Sequence, residues 1–274
     1  MKRDSDGQRI ALFVDFENLV TRTGLSAEQF DVGPALDTLL DKGKVLFRRA
    51  YCDWTRFAPA TRNLHEHGVE LIDVPPSTRA GKNGADVRLV IDALELAYLR
   101  EHIDTFVIAS GDSDFCPLAA KLRENDRTVI GMAVKESTSP LFVKACDEFV
   151  YLRSGGGRRR AADHGRDGSG KAKEKEAEKA VPEVAREAAA SILARATSPV
   201  NPSAIKAAIV RREPDFDERD HGFSSFSRLL EAMEKEGLLA IQQQGRQIYV
   251  VSPEAAPAKT SGDEAGTTDD ETAF

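Results

Sequence analysis

Four aspartates carry the chemistry that can be read from the 274-residue chain. Asp15 closes the apolar run IALFVDF over 10–16, with Glu17 and Asn18 just beyond it. Asp112 and Asp114 sit in the string Ser110-Gly111-Asp112-Ser113-Asp114, directly after a second apolar run over 104–110. Asp86 ends the loop GKNGAD and opens a long helical pattern. Carboxylates held together repel one another, and such a cluster persists only when protonated or neutralised by a cation. Oxygen ligands select hard ions. Mg²⁺ or Mn²⁺ would suit Asp15, Asp86, Asp112 and Asp114, because such an ion polarises a phosphodiester and lowers the pKa of an attacking water.

Each acid also has a plainer role open to it. Asp114 can cap a helix starting near Phe115, and Asp86 is a favourable acid in a helix first turn. Asp15 is harder to explain that way, since an acid ending an apolar central strand caps nothing. Asp92 lies six residues beyond Asp86, roughly 120° around the helix, and is left out of the site. Neither G-x-x-x-x-G-K-[ST] nor a strand-linked G-x-G-x-x-G occurs, so no glycine-rich phosphate cradle competes for the function.

The elements that must position these acids follow from hydrophobic patterning. Five short apolar runs, at 10–16, 44–52, 69–74, 104–110 and 128–134, alternate with helix-like stretches. Continuous rather than alternating runs suit strands covered on both faces, and the helices between them imply right-handed crossovers in a parallel sheet. In such an α/β sheet, sites form at the carboxyl ends of strands, where strand order reverses. Strands one and four would lie side by side there, with their acids facing. The most regular helix spans Ala85–Arg100, and Val87, Val90, Ile91, Leu94 and Tyr98 predict its buried stripe.

Composition divides the chain further. Residues 1–152 make the sheet domain, and 153–181 read as a flexible basic linker with a glycine triplet and Arg158, Arg159 and Arg160. Residues 182–252 hold three helical patterns and LLAIQQQGRQIYVV, two strands around a polar turn, which together predict a small winged helix. Residues 253–274 form an acidic tail expected to be disordered. The tail carries six acids against Lys259, so it supplies −5 of the net charge of −7, and the remainder is close to neutral. Acidity overall therefore does not exclude a nucleic-acid partner. No apolar run approaches a bilayer crossing, and Cys52, Cys116 and Cys146 form no C-x-x-C pair. Both features fit a cytoplasmic protein with small buried thiols.

The segments FVDFEN (13–18), KNGADVRLVIDALELA (82–97) and VIASGDSDFCPL (107–118) resemble, in order and spacing, the three motifs of the NYN domain, a branch of the PIN-like ribonucleases. The resemblance covers about residues 9–152. It implies a Rossmann-like PIN fold and divalent-metal-dependent cleavage of RNA, in the endonucleolytic mode. It assigns catalysis and metal binding to Asp15, Asp86, Asp112 and Asp114, with Asn18 and Ser110 as supporting polar groups. The second module resembles the LOTUS (OST-HTH) winged helix through GFSSFSRLLEAMEKEGLL (222–239) and its hairpin. That likeness implies binding of RNA, single-stranded or structured, or a protein contact, and DNA stays open to any winged helix.

A polyanion held at an acid-lined cleft needs basic neighbours. Arg48, Arg49, Arg79 and Lys82 are the expected phosphate contacts there, and Arg228 in the second module. Two other readings stand beside the ribonuclease. One is a non-catalytic RNA-binding regulator. The other is a haloacid-dehalogenase-like phosphatase, in which Glu17 occupies the place of the second aspartate. The sequence is silent on oligomeric state.

Overall fold

In a computed structural model the residues described are 7–23, 26–28, 30–75, 83–152, 180–244 and 247–253. Most of the expected linker and tail, and the expected contacts Arg79 and Lys82, lie outside them. Contacts divide the described chain into two compact units, one of 7–152 with Ile209–Asp220, the other of 180–208 with 221–253.

The apolar runs become β1 (Gln8–Asp15), β2 (Gly43–Cys52), β3 (Glu70–Asp73), β4 (Thr105–Ala109) and β5 (Thr128–Val134). A sixth strand, β6 (Glu148–Leu152), was not expected. The sheet order is β3-β2-β1-β4-β5-β6, with every pair parallel. Order reverses between β1 and β4, as the sequence predicts. Helices α1 (Phe16–Thr23), α2 (Gly33–Leu40), α3 (Ala58–Glu66), α4 (Gly84–Leu99), α5 (Cys116–Glu124) and α6 (Pro140–Ala145) connect the strands. This is the α/β fold with a parallel sheet that the sequence predicts.

β1 is the central strand, and Ile10 to Val14 are at most 2% exposed. Phe13 stacks on Tyr51 at 6.5 Å and on Phe106 at 6.1 Å, tying β2, β1 and β4 together on one face. Side chains alternate along a strand, so Asp15 follows Phe13 onto that same face. The edge strand β6 depends on Gly131, because a Cβ there would come within 2.2 Å of the Phe149 ring. The register pairs those two residues.

Helix α4 overturns one expectation. Its buried row is Leu89, Asp92, Ala93, Leu96 and Ala97, whereas Val87, Ile91 and Tyr98 from the predicted stripe are exposed. Both rows keep helical spacing, but alanines let the helix lie closer to the stacked rings of the sheet than branched side chains do. Asp86 lies on the buried row, three residues before Leu89 and seven before Ala93, so its turn faces the strand ends. Asp92 also faces the sheet, 4% exposed and further down the helix.

The second unit holds α7 (Glu183–Leu193), the start of α8 (Pro202–Arg212), α9 (Phe226–Lys235) and the hairpin β7 (Ala240–Gln244) and β8 (Gln247–Val251). Val200 adds an antiparallel bridge to Val250. Leu229, Leu230 and Met233 are buried on α9, whereas buried Phe223 precedes that helix and Phe226 at its start is half-buried. The unit is a helical domain with a small antiparallel sheet.

Candidate active site

The carboxyl ends of β1 and β4 meet at the strand-order reversal. Val14 pairs with Ala109, so Asp15 and Ser110 emerge side by side. Asp15 is 4% exposed. Its Oδ2 accepts the Ser110 hydroxyl at 2.9 Å, and its Oδ1 accepts the Asn18 backbone N–H at 3.3 Å. The Ser110 hydroxyl in turn accepts the Asp112 N–H at 3.3 Å. Asn18 Nδ2 donates to Asp112 Oδ2 at 3.4 Å. One connected set of polar groups therefore joins the end of β1, the first turn of α1 and the loop after β4.

Burial pushes the Asp15 carboxyl up to about 7, and the nearby Asp86 carboxylate raises it next. Bonds from Ser110 and from the Asn18 backbone oppose that rise, and Asp112 adds to it. Without a counter-ion the site thus holds a carboxylate close to its protonated form at neutral pH. Asn18 Oδ1 is buried and accepts no hydrogen bond, because its amide nitrogen is turned toward Asp112. A buried acceptor left without a donor costs free energy unless a cation or water meets it.

Asp112 does the capping expected of Asp114. Its side chain accepts the Asp114 N–H at 3.1 Å and starts the short 3-10 turn Ser113–Phe115, while the Asp114 residue is exposed at the rim. Gly111 is required there, since a Cβ would stand 2.6 Å from the Ser137 carbonyl oxygen. Asp92 belongs to another network. It accepts Tyr51 Oη at 3.0 Å, Arg88 Nε at 2.9 Å and Arg49 Nη1 at 3.4 Å.

The donor set of Asp15, Asp86, Asp112 and Asn18 Oδ1 is all oxygen, which fits a hard cation such as Mg²⁺ or Mn²⁺. Among the described residues, no group of three or more His, Cys, Asp or Glu is drawn to metal-ligand spacing.

The acidic rim is wider than the sequence suggests. Asp53 and Asp73 follow β2 and close β3, but their oxygens are taken by loop groups. Asp53 accepts the Thr55 hydroxyl at 2.5 Å, and Asp73 accepts the Trp54 N–H at 3.3 Å. Glu17 pairs with Arg56 at 2.7 Å. The signal for all three was an acid at or within two residues of a strand's end.

Three of the expected basic contacts, Arg48, Arg49 and Arg228, lie among the described residues. Arg49 pairs with Glu70 at 2.7 Å and with Asp92 at 3.4 Å. Arg48 donates to the carbonyls of His67 and Val45. Arg228, in the first turn of α9, pairs with Glu231 at 2.6 Å on an exposed face. All three have partners within the protein.

The model of the NYN domain family matches residues 9–153, which is more than half of the chain. The chain belongs to the NYN domain family. That family lies in the PIN-like nuclease superfamily, and the fold described above agrees with it. An OST-HTH/LOTUS domain follows the NYN domain, matched over residues 180–250. Such domains are associated with RNA binding.

The NYN-domain chain is similar to the uncharacterized protein MJ0482 of Methanocaldococcus jannaschii, at 24% identity over 144 residues and 53% of the chain. It spans 55% of that relative's length. It is also similar to a Vibrio parahaemolyticus protein of unknown function, VPA0982, whose crystal structure aligns at 24% identity with a TM-score of 0.48. That alignment covers 56% of this chain and 97% of the other. Among the described residues, no helix is long and apolar enough to cross a membrane.

Proposed function

We propose that the NYN domain is a metal-dependent ribonuclease that hydrolyses RNA phosphodiester bonds internally, and that the LOTUS domain recruits the RNA. The observation that carries this reading is the buried Asp15, pushed up to about 7 beside Asp86 and Asp112, with the donorless Asn18 Oδ1 next to it. A cation would relieve both features at once.

Asp15, Asp86 and Asp112 would hold Mg²⁺ or Mn²⁺, with Asn18 as a neutral oxygen donor and Asp114 at the rim. A bound divalent ion supplies charge for the phosphodiester and a lowered pKa for the attacking water. Ser110 fixes the Asp15 carboxylate and favours its ionised form, which is the form able to bind a cation. The Asn18 amide donates to Asp112 and orients its carboxylate. Arg79 and Lys82, close before Asp86 in sequence, are the proposed phosphate contacts, with Arg228 in the LOTUS domain. Arg48 and Arg49 would contact RNA only by releasing His67 and Glu70.

The test is cleavage of single-stranded RNA with Mg²⁺ or Mn²⁺, with and without excess chelator, by the wild type and by Asp112→Asn. The expected result is metal-dependent cleavage that chelator stops and that Asp112→Asn loses, while filter retention shows RNA binding kept. Cleavage unaffected by chelator, or equal in the variant, would overturn the assignment. RNA binding without cleavage under any metal would leave the protein a non-catalytic RNA-binding regulator.

A further inference from the structure

The face of α4 turned away from the sheet is apolar at regular spacing. Val87, Ile91 and Tyr98 are 56%, 55% and 61% exposed, and Leu99 beside them is 68% exposed. With the half-buried Leu94 they give Val87, Ile91, Leu94 and Tyr98 at i, i+4, i+7 and i+11. That is the seam of a two-helix coiled coil rather than scattered surface apolars. A solvated helix face of this kind ordinarily carries charges, and single exposed apolars need no explanation, whereas a continuous row does.

The flanks of the row decide what fits it. Arg88 follows Val87 and Glu95 follows Leu94, so the two lie on the same side of the seam seven residues apart, and both are exposed, although Arg88 Nε already binds Asp92 at 2.9 Å. When two such helices pack antiparallel about a two-fold axis between Ile91 and Leu94, like flanks face each other. Val87 then meets Tyr98 of the second copy, Ile91 meets Leu94, and Arg88 meets Glu95 twice. Two-fold pairing makes one patch complementary to itself, so each favourable contact occurs in duplicate. The two longest segments outside the described residues supply no apolar row to cover it. Residues 153–179 contain no large apolar side chain, and 254–274 contain only Phe274.

We infer that the protein self-associates through α4, with a second copy of the same helix packed antiparallel along Val87, Ile91, Leu94 and Tyr98 and with Arg88–Glu95 pairs on its flank. One helix seam is smaller than the roughly 800 Å² per partner of a standard stable interface, so the association is reversible and depends on concentration. Asp86 opens the same helix, so the two candidate sites lie at opposite ends of the paired helices. The inference does not rest on catalysis.

Mass measured by light scattering or sedimentation over a concentration series tests it on the full chain. The wild type should rise from 29.9 kDa to twice that value. Ile91→Glu and Tyr98→Lys should each stay at the lower mass at the same concentration, with melting temperatures equal to that of the dilute, monomeric wild type, since both sites are exposed. On oxidation, Val87→Cys/Tyr98→Cys should give a covalent dimer, while neither single variant does. A wild type that remains monomeric at about 100 µM overturns the inference, as does a dimer that persists in both charged variants. Cross-linking by a single cysteine variant as efficient as by the double would overturn the antiparallel arrangement.

Discussion

Ser110 Oγ donates to Asp15 Oδ2 at 2.9 Å, and through that one hydroxyl the ends of β4 and β1 share a proton donor. The bond favours the ionised carboxylate against the burial and the neighbouring acids that push Asp15 up to about 7. Ser110→Ala removes that support and leaves the burial. The acid limb of the metal-dependent activity profile should then move upward by about one pH unit, with activity recovering at alkaline pH. A pH–rate profile for the variant checks this, and a limb that does not move would count against Asp15 as the titrating ligand.

Asp15 also makes the fold itself sensitive to pH. Its carboxyl ionises near 3.8 when unfolded and near 7 when folded. Between those values the folded chain keeps a proton that the unfolded chain has lost. Stability contributed by the neutral acid is therefore fully present below about 4 and is lost as pH rises through about 7. Asp15→Asn should be more stable than the wild type at pH 8 without metal, by on the order of 2–4 kcal/mol, and should match it near pH 4. Thermal melts in chelator at the two pH values provide the measurement. A variant that melts at or below the wild type at pH 8 would contradict the burial argument.

Adding Mn²⁺ should raise the melting temperature of the wild type, because an ion bound only by the native state stabilises it. Asn18→Ala should reduce that gain, with Mn²⁺ affinity lowered about 10–100-fold. Were Asn18 Oδ1 merely an unsatisfied acceptor, its removal would stabilise the metal-free protein and leave the Mn²⁺ response intact. Titration calorimetry with Mn²⁺ distinguishes the two.

Two acids on one helix should behave oppositely. Asp92→Asn weakens a buried network with Arg49, Arg88 and Tyr51 and should cost about 2–4 kcal/mol of stability, with turnover retained at temperatures where the protein is folded. Asp86→Asn removes a charge that repels Asp15 and should keep or raise stability while cleavage falls by more than about 100-fold. Melting curves and initial rates on the same preparations separate the roles. Loss of turnover in both variants at equal stability would place Asp92 in the site after all.

Much of this molecule is local enough to be legible in its residues. Apolar runs of five to ten residues ending in Asp15 or leading into Ser110-Gly111-Asp112 announce strands whose tips carry acids, because strand formation and burial on both faces impose those residue types within one short segment. The burial of Leu229, Leu230 and Met233 on α9 is likewise a matter of helical spacing within a single segment. Tertiary structure decided the rest. α4 carries two apolar rows at the same period, and only the approach to the Phe13, Tyr51 and Phe106 layer selected the row with Ala93 and Ala97. β6 exists because Gly131, seventeen residues earlier, leaves room for the Phe149 ring. That Arg49 lies between Glu70 and Asp92 is likewise visible only in the fold. Periodicity is written within a segment, whereas the face a helix buries and the partner a charge finds depend on which segments the fold brings within a few ångströms.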